Sequence, residues 1–129
     1  MTTSDWLSLR STELQFTAVD LDDFALDLGV EGPPFIWEAE RREMLRTEID
    51  AAYFILFGRS RDDVDYIMDA FPIVRRKDEA AHGDYRTKRL ILNAYDAMQE
   101  AIKTGFPFES TLTPPPGQGP RHPVKELFA

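Results

Sequence analysis

The chain has 129 residues, a formal net charge of -8, 43% hydrophobic residues and 12% aromatics; that is enough apolar material for one core and argues against two independent domains. Its acidity, with a pI near 4.7, argues against a protein that coats nucleic acid or an anionic membrane by bulk electrostatics. The absence of cysteine excludes disulfides, thiolate nucleophiles and Cys-ligated zinc or iron–sulfur sites, and fits a reducing compartment.

The first residues, MTTSDWLSLRSTELQF, lack the basic start and apolar core of a secretory signal, and no run approaches the roughly 20 apolar residues of a membrane span. A soluble, cytoplasmic protein without membrane association is expected. Residues 12–19 (TELQFTAV) alternate, with Leu14, Phe16 and Ala18 on one side and Glu13, Gln15 and Thr17 on the other, which predicts a short β-strand. Asp20 or Asp22 can cap a short helix covering Phe24, Ala25 and Leu28, ended by Gly29. Gly32, Pro33 and Pro34 then enforce an extended turn.

Residues 38–57 predict a helix with Arg41, Leu45, Ile49, Ala52 and Leu56 in line and Met44, Glu48 and Tyr53 flanking them. Glu38, Glu40 and Glu43 favour its start, and Gly58 stops it. Ser60 opens a short amphipathic helix with Asp62 and Asp63 in its first turn and Val64, Ile67, Met68 and Phe71 as its stripe, closed by Pro72. The connector, residues 73–83, predicts a turn or short helix ending at Gly83. Asp84 is expected to cap the last helix, residues 85–104, whose core stripe is Ile91, Ala94, Tyr95, Met98, Ala101 and Ile102, with Leu90 beside it and Gly105 as its stop. Beyond Phe108 the Pro- and Gly-rich run TLTPPPGQGPRHPVKELFA is expected to be extended and poorly packed. The expected fold class is therefore mainly α: a small helical domain over residues 1–108 with a short N-terminal β-strand, then a flexible tail over residues 109–129.

Chemistry-bearing groups are sparse. The turn Gly32-Pro33-Pro34-Phe35 looks like the Pro-Pro-aromatic core of amino-group methyltransferases, but that chemistry needs a polar side chain where Gly32 stands and a cofactor-binding sheet upstream. It reads as a structural turn. His82, beside Gly83 at an expected helix end, reads as a solvated or capping residue, and His122, in the tail, has no ligand partner at a fixed spacing. Asp62, Asp63, Asp65 and Asp69, with Glu48 and Asp50, could recruit a divalent cation, yet the first two suit a helix start and the next two a solvent face. No catalytic residue, metal site or cofactor is assigned to this chain. The cationic run is more suggestive: Arg75, Arg76 and Lys77 enter the connector, and Tyr85, Arg86, Thr87, Lys88 and Arg89 begin the last helix, where positive charge opposes the helix dipole. These eight residues are the candidates for contact with DNA phosphates or a protein partner. The bland reading is a solvated face neutralised by Asp78, Glu79 and Asp84.

In order, the segments GPPFIWEAERREMLRTEIDAAYFILFG, RDDVDYIMDAFPIVRRKDE and GDYRTKRLILNAYDAM resemble the C-terminal end of large bacterial N6-adenine DNA methylases of type IIG-like restriction-modification and phage-defence systems. ELQFTAVDLDDFALDLGVEGPPF looks like the piece preceding this block, so the resemblance spans roughly residues 6–116. In that family the Asn-Pro-Pro-aromatic motif and the S-adenosylmethionine pocket lie far upstream, and neither is present here. The chain departs from the family pattern at Phe16, Thr17 and Val19, and residues 53–57 are more apolar. The resemblance implies a separate C-terminal segment that is not itself an enzyme, serving assembly with the catalytic part of a methylase or DNA backbone contact. A stand-alone protein-interaction domain using Trp37, Phe54, Phe57 and Phe35 is the second reading, and a metal-dependent hydrolase using the acidic cluster the third.

Overall fold

The computed structural model describes residues 2–17 and 33–122. These residues are mainly α-helical, in five helices with no strand: α1 (Thr3–Gln15), α2 (Ala39–Leu56), α3 (Arg61–Met68), α4 (Pro72–His82) and α5 (Arg86–Thr104). The expected helix around Phe24 and Leu28, with Asp20, Asp22, Gly29 and Gly32, lies outside the described residues. The chain divides into two compact units, one of Met1–Leu45 with Ser110–Ala129, the other of Arg46–Glu109, the boundary falling within α2.

In the first unit the expected strand is overturned, because Thr12, Glu13, Leu14 and Gln15 belong to α1. A reciprocal capping box fixes the start of that helix: the Thr2 hydroxyl accepts from Asp5 N and the Asp5 carboxylate accepts from Thr2 N. The face that α1 buries is polar, with Arg10, Thr12 and Glu13 below a tenth exposed, so no apolar periodicity marks it. At its other end the Leu14 carbonyl, an orphan acceptor of the last turn, receives Arg42 Nη1 at 2.6 Å. Phe16 and Phe35 meet edge to face at 6.3 Å and are almost fully buried.

Residues 114–122 are anchored by hydrogen bonds, with Pro116 and Gly119 buried and Pro114, Pro115 and Gln118 exposed, which corrects the expectation of a poorly packed run there. Phe35 and Arg121 form an antiparallel bridge, with Ile36 N donating to Pro120 O and His122 N to Pro34 O. Gly117 N and Gly119 N donate to the Glu13 carboxylate, and Arg41 donates to the carbonyls of Pro114 and Pro115. Pro and Gly supply few side-chain handles, so this segment is held largely through its main chain, joined by the Arg121 side chain, which donates to Pro33 O.

In the second unit Ser60 and Asp63 form the capping box that begins α3. That helix stops at Asp69, and Pro72 is the first residue of α4 rather than the stop of α3, a position where its missing N–H costs nothing. Helices α3 and α5 run antiparallel. Tyr95 Oη donates to Arg59 O at one end, while Tyr85 Oη donates to Met68 O at the other. Val64 and Met68 of α3 are buried, as are Ile91, Leu92, Ala94, Tyr95 and Met98 of α5; full burial stabilises a side chain such as Val64 or Ile91 by about 1.5–3 kcal/mol. The predicted stripe is thus shifted, since Ile102 is exposed and Leu92 is covered. On α2 the buried positions of this unit are Thr47, Glu48 and Ala51, whereas Leu56 is exposed.

Candidate partner-binding groove

An open groove of about 510 Å³ lies on the second unit. Helix α2 and the turn after it supply Asp50, Tyr53, Phe54 and Phe57; Ile67 and Met68 come from α3, Phe71 and Val74 from the start of α4, and Thr87 and Ile91 from α5. Asp50, Tyr53 and Phe57 follow one another at helical spacings of three and four and so share one face. Phe57 is 73% exposed, Phe71 48% and Tyr53 45%. The rings of Tyr53 and Phe57 stack at 6.2 Å. Applied to side chains that each present roughly 150–250 Å², those fractions leave about 250–400 Å² of aromatic surface in one place, as large as the largest patch on many monomers. Helix α4, one wall of the groove, buries no residue at all.

Among the described residues, Asp50 is the one charged side chain on the groove wall. Asp50 is exposed at the surface, but partial desolvation on the groove side raises its carboxyl above the ordinary aspartate value, and Arg46, one turn back on α2, pulls in the opposite direction with smaller effect.

The cationic candidates lie on the same unit, and several are engaged by its own carboxylates. Lys88 Nζ sits 2.5 Å from Asp65 and 2.9 Å from Asp69, and both bonds raise its proton affinity. Arg89 pairs with Asp84 at 2.6 Å, and that bond holds the Asp84 carboxyl below its usual range. Arg75 pairs with Glu79 at 2.8 Å, approaches Asp69 at 3.9 Å and faces the Tyr85 ring at 6.0 Å. Arg76 reaches back to Pro72 O at 3.5 Å, and Lys77 is exposed. Burial is also the main reason that the Tyr85 phenol is raised, its hydroxyl being turned onto Met68 O.

The cap expected from Asp84 comes instead from Asp78, whose carboxylate accepts Thr87 N at 2.6 Å across the α4–α5 turn. Positive residues at the start of α5 are therefore offset within the unit by Asp65, Asp69, Asp78 and Asp84. Three members of the acidic cluster are engaged in the same way, Asp63 on the α3 cap and Asp65 and Asp69 on Lys88. Among the described residues no group of three His, Asp or Glu side chains is placed to hold a metal ion. No helix there is long and apolar enough to cross a membrane.

Of the aromatic candidates, Phe57 and Phe54 line the groove, Phe35 is buried, and Trp37 is exposed with the Arg42 guanidinium 3.6 Å from its ring centre. Tyr53 and Phe71 are the groove aromatics that the periodicity assigned to a helix flank and an apolar stripe. The spacing of Tyr53 and Phe57 held the missing signal, but only the placement of α4 makes a groove of it. The chain matches no protein-family model, no curated protein and no solved structure.

Proposed function

We propose that this chain is a noncatalytic helical module whose groove docks an apolar segment of a partner protein. One observation carries the reading: Tyr53, Phe57 and Phe71 stand exposed around a single open groove, where aromatic anchors give an interface most of its energy. The resemblance of residues 6–116 to methylase C-terminal ends supplies a setting, in which the partner is the catalytic part of an N6-adenine DNA methylase. DNA backbone contact is the weaker half of that setting, because Arg75, Lys88 and Arg89 already engage carboxylates of this chain.

The test is a displayed library of amphipathic helical peptides panned against the chain, followed by calorimetric titration of the selected sequences. Phe57→Ser is expected to weaken them about tenfold or more, as loss of an aromatic anchor does. Failure to select any binder, or binders indifferent to Phe57→Ser, overturns the proposal.

A further inference from the structure

Among the described residues the groove lining is mostly apolar and aromatic and carries one charged side chain. Asp50 lines the groove from the same face of α2 as the stacked Tyr53 and Phe57, so a carboxylate shares one wall of a mostly apolar trough with two aromatic rings. Thr87 is the other polar residue of the lining. Aromatic faces beside a carboxylate favour a cation, because the ring quadrupole and the negative charge attract the same group.

Resting on the docking role proposed above, we infer that the groove is selective for a partner helix presenting a lysine among its apolar residues, with the ammonium set between Asp50 and the Tyr53 and Phe57 rings. Lysine fits both parts of the site. Its aliphatic stem lies along the apolar trough while its head reaches the carboxylate. A helix suits the trough because the second unit has no strand among its described residues to pair with an extended peptide, so recognition there rests on side chains. Asp50 is exposed on the groove wall, with Arg46 one turn back on α2 as the cation that acts on it, so its carboxylate is open to an incoming charge. An acidic partner would be repelled at the same point, giving discrimination as well as attraction.

The peptide library resolves this selectivity separately from docking. Peptides selected on the wild-type chain are expected to carry Lys at one fixed position, and those selected on Asp50→Asn to show no such preference. For one selected peptide, replacing that Lys by norleucine is expected to cost about tenfold in affinity on the wild type and less than about twofold on Asp50→Asn. Binders sensitive to Phe57→Ser but without an enriched cation would overturn the selectivity while leaving docking intact. Enrichment of Arg with exclusion of Lys would overturn the lysine assignment. Sedimentation of the free chain adds a further arm: a dimer that Phe57→Ser dissociates would assign the groove to a second copy and overturn the inference.

Discussion

Glu13 and Arg41, 28 positions apart, form a doubly bonded ion pair in which both side chains are buried. Each partner also serves the Pro/Gly segment: Glu13 Oε1 accepts Gly117 N at 2.9 Å and Gly119 N at 3.1 Å, while Arg41 donates to Pro114 O and Pro115 O. Removing one partner leaves the other charged and dry, which costs about 3–5 kcal/mol in comparable buried pairs. Glu13→Ala is therefore expected to lose stability of that order in urea denaturation. It should also free the Gly117 and Gly119 amides to exchange with solvent.

Gly119 tests the same junction from the opposite side. A Cβ built there would stand 2.5 Å from Glu13 Oε2 and 2.8 Å from Arg41 Nε, atoms held by the ion pair. Gly119→Ala must push the segment away, at about 1–3 kcal/mol if it costs what overpacking usually does. Calorimetric melting should show this loss, with Arg121 drawn from its place 4.3 Å from the Phe35 ring centre.

This junction also marks the limit of what the chain shows when read linearly. Local rules predicted α2, α3 and α5 because their signals are local: the Ser60 and Asp63 box, the glycine stops at Gly58 and Gly105, and the apolar stripe of α5. The alternation of Leu14, Phe16 and Ala18 predicts a strand over residues 12–19 where the last turn of α1 stands, while the competing signal, the Thr2 and Asp5 box, lies roughly three helical turns upstream of Glu13. Its buried side is polar and satisfied by partners such as Arg41 and Gly119, which no pattern within α1 could reveal. The candidate cations were visible as a run, but that Lys88 lies between Asp65 and Asp69 depends on the antiparallel packing of α3 against α5.

Lys88 follows as a stability prediction. Its ammonium separates two carboxylates one helical turn apart, and its side chain is only 19% exposed. Lys88→Ala leaves Asp65 and Asp69 facing each other at i, i+4, where like charges repel. A loss of roughly 1 kcal/mol is expected, the upper part of the range for partly exposed pairs, and it should shrink in high salt. Duplex DNA affinity unchanged by the same variant would fit an internal role for Lys88; a large fall in DNA affinity would revive backbone contact.

Core and groove should separate in a matched pair of variants. Val64 is fully buried, so Val64→Ala is expected to cost about 2 kcal/mol from lost burial and an incompletely filled cavity. Phe57 is mostly exposed, and Phe57→Ser should stay within about 0.5 kcal/mol of the parent. Denaturant midpoints measure both. A large loss from Phe57→Ser would mean that the ring supports the fold rather than a partner.

Asp50 gives the pH dependence. Burial raises its carboxyl above the ordinary value of 3.8, outweighing the attraction of Arg46, so the folded chain holds this proton more tightly than the unfolded chain does. Below 3.8 the group is protonated in both states and costs no stability through its charge. As pH climbs through the raised folded-state value the proton is lost, and the folded state must carry a partly dehydrated charge; the penalty is complete at neutral pH. Asn keeps the shape and never ionises. Because the side chain is also exposed to solvent, which screens the effect, Asp50→Asn should melt only slightly higher than the parent at neutral pH, with the difference closing as pH falls toward 3.8. Arg46→Ala should widen the gap at neutral pH, because it removes the attraction that opposes burial. Melting curves across that range decide the matter: a parent more stable than Asp50→Asn at neutral pH would mean that the carboxylate is already satisfied within the chain, and would leave no charge for a partner's lysine to find.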